Sequence, residues 1–134
     1  MINNNFEKKL KSKEFVFTAE TSPPDSTVRS EITDRVLCLK DLADAINVTD
    51  GASAKSHLSS LVVSSIIKDI EIEPILQLTT RDRNRIAIQS DLLGAWTLNI
   101  QNILCIYGDQ VETGDQPETK AVSYTHLRAH ETAV

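Results

Sequence analysis

The sequence is poor in the residues that mark several common protein classes. Its two cysteines, Cys38 and Cys105, lie far apart and form no Cys-x-x-Cys pair, which excludes a disulfide framework and gives a zinc site nothing to start from. They read as reduced thiols of the core, where free cysteine is most often found. Aromatics make up only 4% of a chain that is 40% hydrophobic, so its core must be aliphatic. Lysine and arginine number 14 against 19 acidic residues, a formal charge of -5 at pH 7. Counterion release at nucleic acid or an anionic membrane needs clustered cations, so neither partner is expected and small molecules are. No apolar run approaches the roughly 18 residues of a membrane span, and the opening MINNNFEKKLKSK has no apolar signal region. None of the four glycines builds a dinucleotide fingerprint. A cytoplasmic enzyme or binding domain is the expectation.

What is present is a repeating unit of strand, polar loop and helix. The stretch from Glu73 to Asp109 contains it whole. Pro74 to Leu78 is a short apolar run that breaks at Thr79, Thr80 and the charged RDRNR loop. From Asn84 the period changes from two to about 3.6, with Ile88, Leu92, Ala95 and Trp96 on one stripe, which predicts an amphipathic helix with Trp96 in the core. Ile103 to Tyr107 is apolar again and stops at Gly108 and Asp109, as a buried parallel strand would. A right-handed crossover joins the two strands.

The same unit is legible upstream. Phe15 to Phe17 opens a strand that runs into Thr18, Ala19 and Glu20 and is broken by the prolines of TSPPDS. Asp25 or Ser26 is placed to cap a helix whose apolar face is Val28, Ile32, Val36, Leu39 and Ala43. Ala45 to Val48 is the second strand, and Leu58, Leu61, Val62 and Ile66 mark the next helix. Before the first strand, Phe6 and Leu10 sit four apart and allow one short helix, a solvated lead-in being the alternative. Four strands and three helices fit before Asp109.

Each apolar strand ends in polar residues that burial alone does not require: Glu20, Thr49 with Asp50, Gln77 with Thr79, and Asp109. In parallel α/β folds the carboxyl ends of the strands build the site, so these side chains converge on one mouth. Thr80, Asp82 and Asn84 read instead as helix-capping residues. Glu20 stands beside apolar strand residues and before a rigid Pro-Pro loop, where desolvation favours a carboxyl that can act as an acid. Arg81, Arg83 and Arg85 fit two readings, contacts to phosphate or carboxylate groups of a ligand, or salt bridges to Asp82, Asp91 and their neighbours. His57 reads as structural.

At these residues the chain resembles the methylenetetrahydrofolate reductase family. The resemblance runs from Phe15 to Val122 and is carried by FVFTAETSPPDS, DAINVTDGAS, QLTTRDRNRIAIQSDLLGAWTLNIQNIL, the Gly-Asp of IYGD, and GDQPETKAV, in that order and at strand ends. The RDRN version is similar to the branch that includes fusions to a homocysteine methyltransferase. The resemblance implies an α/β chain forming part of a (β/α)8 TIM barrel, with FAD as cofactor. It implies reduction of 5,10-methylenetetrahydrofolate to 5-methyltetrahydrofolate with NAD(P)H, in methionine biosynthesis, by a protein that is homo-oligomeric when complete. Glu20 would be the acid that opens the bridged folate ring, and Asp109 the carboxylate beside flavin and pterin. Thr49, Gln77 and Gly108 would join Asp109 in holding the flavin. Tyr107 replaces the Arg or Thr often found before the Gly-Asp pair.

After Val122 the residues SYTHLRAHETAV depart from the family and resemble translated adapter sequence. His126 and His130 are spaced one helical turn apart, but two ligands do not make a zinc site, and no metal is expected. A TIM barrel takes about 250 residues, so residues 15–122 read as its amino-terminal half, after a lead-in over 1–14 and before a non-native tail over 123–134. The inward faces of Val16, Val48, Leu76 and Ile106, or of their alternating neighbours, would then lack partners, and the isolated half is expected to be inactive. Two other readings fit the same residues: a non-catalytic half-barrel that pairs with a partner or binds a pterin, and a flavin-free methyltransferase.

Overall fold

The computed structural model describes residues 4–122. Four parallel strands form one sheet in the order β1 (Thr18–Thr21), β2 (Ala45–Val48), β3 (Pro74–Thr79) and β4 (Asn102–Ile106). Every neighbour in the sheet is a neighbour in sequence, and every connection contains a helix: α2 (Arg29–Leu37), α3 (Ser60–Asp69) and α4 (Arg85–Thr97). That progression around one parallel sheet is the arrangement of a partial (β/α)8 barrel. The helix that Phe6 and Leu10 allowed also forms, as α1 (Asn5–Lys11), so the described residues hold four α-helices rather than three. Its first turn is capped by the Asn4 side chain, which accepts the Glu7 amide at 3.1 Å. Asn4 also donates to Asn102 at 2.8 Å, and Lys9 pairs with Asp44, which ties α1 across the amino ends of the strands.

Register sorts the strand residues onto two faces. Thr21, Val48, Leu76 and Ile103 lie in one row of partners, as do Glu20, Asn47, Ile75 and Asn102. The first row meets the helices. Ile46 and Val48 pack with Ile32 and Val36 of α2 and Val63, Ile66 and Ile67 of α3, while Leu76 packs with Ala95 of α4 and Ile100. The second row, continued by alternation through Gln77, Leu104 and Ile106, is the face that would line a barrel. Of the two sets of residues expected to lack partners, Val48 and Leu76 are fully buried on the helix face, and the alternating neighbours carry the exposure, with Leu104 40% exposed.

Several local expectations are corrected. β1 starts at Thr18, and Phe15 and Phe17 remain outside it and exposed. α2 ends at Leu37, short of Leu39 and Ala43. Its cap position is Val28 without a side-chain bond, and Ser26 instead accepts the Val28 amide at 3.1 Å. On α3 the buried stripe is Val63, Ile66 and Ile67, and Val62 is exposed. On α4 only Ala95 is buried, and Trp96 is 66% exposed with Ile86 and Leu93 beside it. Both cysteines are exposed rather than in the core, Cys38 just past α2 and Cys105 on edge strand β4. For Trp96 and Cys105 the cause is shared: among the described residues, β4 is the edge of the sheet and α4 packs at that edge. Among the described residues no helix is long and apolar enough to cross a membrane. The residues after Val122, including His126 and His130, lie outside those described.

Candidate active site at the carboxyl ends of the strands

The expected convergence begins with the sheet register. Glu20 and Asn47 are register partners on β1 and β2, so their side chains leave the sheet on the same face, and Asn47 Nδ2 donates to Glu20 Oε2 at 2.8 Å. The Oδ1 of the same amide is buried without a partner among the described residues. Glu20 is exposed, so the desolvation expected of it does not occur in this sheet, where β1 is an edge. Thr49, one residue past β2, is buried and its hydroxyl donates to Ser22 Oγ at 3.0 Å. Gln77 is buried near the end of β3, and its carbonyl receives the Ser60 hydroxyl at 3.0 Å, which fixes the start of α3 against the strand.

Asp109 projects from the loop after β4. Its Oδ2 accepts the Ser53 amide at 2.6 Å, a bond that joins the β4 loop to the loop after β2. The preceding Gly108 has φ of 102°, and a Cβ there would come within 2.5 Å of Thr79 Cγ2. Only glycine permits that backbone so close to β3. Glu20 and Asp109 are thus held by separate partners, the first through Asn47 and the second through Ser53.

Two arginines of the RDRNR loop are turned inward. Arg83 Nη1 donates to Asp50 Oδ2 at 2.5 Å and to the Thr79 carbonyl at 2.8 Å, and its Nε reaches Asp91 at 2.9 Å. Asp50 also takes the Thr79 amide at 2.8 Å, so one carboxylate clasps β3 and its loop to β2. Burial opposes the Arg83 charge, and the Asp50 hydrogen bond and the fields of Asp50 and Asp91 outweigh it, holding the guanidinium above its ordinary pKa. Arg81 is 3% exposed and forks onto Asp82 through Nε at 2.8 Å and Nη2 at 2.6 Å. That fork raises Arg81 and holds Asp82 below the usual carboxylate range. The salt-bridge reading of Arg81 and Arg83 is the one realised, and Arg85 stands exposed at the start of α4.

Asn84 caps α4 as expected, its Oδ1 accepting the Ala87 amide at 3.0 Å. Thr80 and Asp82 do not cap it: the Thr80 hydroxyl donates to the Ile106 carbonyl at 3.2 Å, and Asp82 serves Arg81. His57 bonds the Ala52 carbonyl at 3.2 Å, a structural contact. Sequence reasoning missed Asn47 and Ser53. A signal for Asn47 was present, since it is the one polar residue inside the apolar run AINV. Ser53 acts through its backbone amide, which no side-chain pattern announces.

The opposite end of the strands offers a hollow of about 460 Å³, and most of the charges on its walls are paired with one another. Lys68 pairs with Glu73, Lys40 with Glu71 and Lys9 with Asp44. At the carboxyl end a hollow of about 230 Å³ opens between Arg81, Tyr107, Asp109 and Lys120. There the carboxylate of Asp109 is exposed, and hydroxyl and amide groups of Thr49 and Gln77 lie at neighbouring strand ends. The family model for methylenetetrahydrofolate reductase matches residues 5–130 of the chain. No curated protein matches it.

Proposed function

The chain belongs to the methylenetetrahydrofolate reductase family, whose members carry out folate-related reduction, and on that premise we propose that its residues serve flavin-dependent reduction of 5,10-methylenetetrahydrofolate to 5-methyltetrahydrofolate. NAD(P)H is the electron source, FAD the cofactor and the cytoplasm the compartment in this reading. Residues 15–122 supply the amino-terminal half of the barrel in this reading, and the family match extends past them on both sides, over residues 5–130. The observation that carries the proposal is positional. Glu20, Thr49, Gln77 and Asp109 come from four successive strands or the loops just after them, at the end where barrel enzymes build their sites.

The roles follow from what each group can do. Bound flavin supplies the hydride. Thr49, Gln77, Gly108 and Asp109 would hold the flavin, the hydroxyl and amide through hydrogen bonds and the glycine by letting the β4 loop pass close to β3. Glu20 gives its proton to the bridged folate, so that the five-membered ring opens to an electrophilic iminium. Asn47 fixes one carboxylate oxygen of Glu20, which leaves the other for the substrate. Asp109, oriented by the Ser53 amide, holds the pterin.

The test uses a barrel completed by joining residues 4–122 to the last four strand-helix units of a family reductase, with flavin binding verified by absorbance. Glu20→Gln is expected to leave flavin reduction by the nicotinamide within a few-fold of the parent. It should slow the folate half-reaction by about 10²-fold or more, the usual contribution of a general acid. Equal loss in both half-reactions would remove Glu20 from the acid role.

A further inference from the structure

Arg81 is the most enclosed cation of the mouth, and the groups around it come from three different loops. Its own loop follows β3. From the loop after β2, Gly51 approaches so closely that a Cβ would sit 2.9 Å from Arg81 Nη2. From the loop after β4, Gly108 approaches likewise, with a Cβ 3.2 Å from Nη1, and the Asp109 carbonyl accepts Nη1 at 2.8 Å. Gly51 and Gly108 both adopt positive φ, 58° and 102°. The backbone is stitched too, since the Arg81 amide donates to the Tyr107 carbonyl at 3.1 Å and the Arg81 carbonyl accepts the Val122 amide at 2.7 Å. Asp82 completes the fork with two charge-assisted bonds.

A guanidinium committed in this way is badly placed to receive a phosphate or a glutamate tail. Three of its five N–H donors are taken by Asp82 and the Asp109 carbonyl, and the side chain is only 4% exposed between the two glycines, so an anion would reach the remaining two only if the loops parted. What it does instead is set the path of the β4 loop. The carbonyl of Asp109 is pinned by Arg81 while its carboxylate is turned to the Ser53 amide, so the backbone and the side chain of one residue are fixed from two loops.

We propose that Arg81 is a positioning residue: it clasps the loops after β2, β3 and β4 and thereby sets the orientation of the Asp109 carboxylate, and it does not bind an anionic part of cofactor or substrate. The inference rests on the reading of Asp109 as the carboxylate beside the reacting rings. Its test needs neither flavin nor folate. In the 134-residue chain, Arg81→Lys keeps the charge and loses the fork. Amide exchange at Ser53 should quicken by about tenfold, as expected when a charge-assisted bond is lost, while amides of β2 and β3 keep their protection. Unchanged exchange at Ser53 would overturn the clasp. Should Arg81→Lys lose protection throughout, Asp82→Asn, at a half-exposed surface position, reads the same coupling with the guanidinium still in place, and an unaltered Ser53 amide there also overturns it. Inorganic pyrophosphate added to the parent chain should leave the Arg81 Nε resonance in place, and a saturable shift would restore the anion-binding role. In the completed barrel with flavin bound, Arg81→Lys should slow the folate half-reaction about tenfold, whereas a folate half-reaction at the parent rate would contradict the proposal. Failure at Ser53 leaves the reductase reading standing, and a barrel without folate turnover leaves the clasp standing.

Discussion

At the scale of single residues, the mouth is built from charges that face inward and glycines that make room for them. Gly108 illustrates the constraint, because alanine there would carry a Cβ into Thr79 at φ of 102°. Gly108→Ala should destabilise the chain by about 1–3 kcal/mol from backbone strain alone, and a thermal or urea midpoint unchanged from the parent would contradict this. Asp44 makes a pH-dependent contribution at the other end of the strands. The Lys9 ammonium, and after it the Phe17 amide, hold its carboxylate below the ordinary value of 3.8. A carboxylate depressed on folding adds stability above its unfolded pKa and loses it as pH falls through the folded value. Denaturation midpoints followed downward from neutral pH should therefore drop below about pH 4, and Asp44→Asn should flatten that limb. An identical acid limb in the variant would assign the drop to other groups, Asp82 first among them. That Glu20, Thr49, Gln77 and Asp109 lie at or just after the carboxyl ends of the strands was legible in the sequence. Their partners were not, because Asn47 lies 27 residues from Glu20 and Ser53 lies 56 from Asp109, and only the folded sheet closes those distances.

At the scale of elements, periodicity located every strand to within a few residues and misjudged what covers the helices. β2 runs from Ala45 to Val48 as read, and β3 and β4 differ by a residue at their ends. An apolar run bounded by turn residues states its own limits. The α4 stripe was harder. Its apolar residues are distributed around the helix, and the register that buries Ala95 against Leu76 leaves Ile86, Leu93 and Trp96 outward. Trp96→Gln should thus change stability by no more than about 0.5 kcal/mol, whereas a core tryptophan would cost about 3–5 kcal/mol. Ile67→Ala, fully buried between α3 and the sheet, should cost about 2–5 kcal/mol in the same urea titration. Reversal of that order would mean that α4 packs through its other face.

At the scale of the whole molecule, four parallel strands leave β1 and β4 each paired on one side, with Phe15, Phe17 and Leu104 exposed near those edges and Trp96 on the helix beside them. Unpaired edges and exposed apolar side chains favour association. The 134-residue chain is expected to sediment as dimers or larger species at micromolar concentration, and a stable, cooperative monomer would contradict that. The architecture was the most legible level of all, since alternating strands and helices of these lengths admit little besides a parallel sheet. The chemistry is the level still to be measured. Rapid-mixing absorbance of the completed barrel, following flavin reduction by NAD(P)H and then its reoxidation by methylenetetrahydrofolate, addresses it directly. The account predicts that the parent shows both phases and that Glu20→Gln keeps the first and loses the second. A barrel that binds flavin but is never reoxidised by the folate, or a Glu20→Gln variant that is reoxidised at the parent rate, would contradict it.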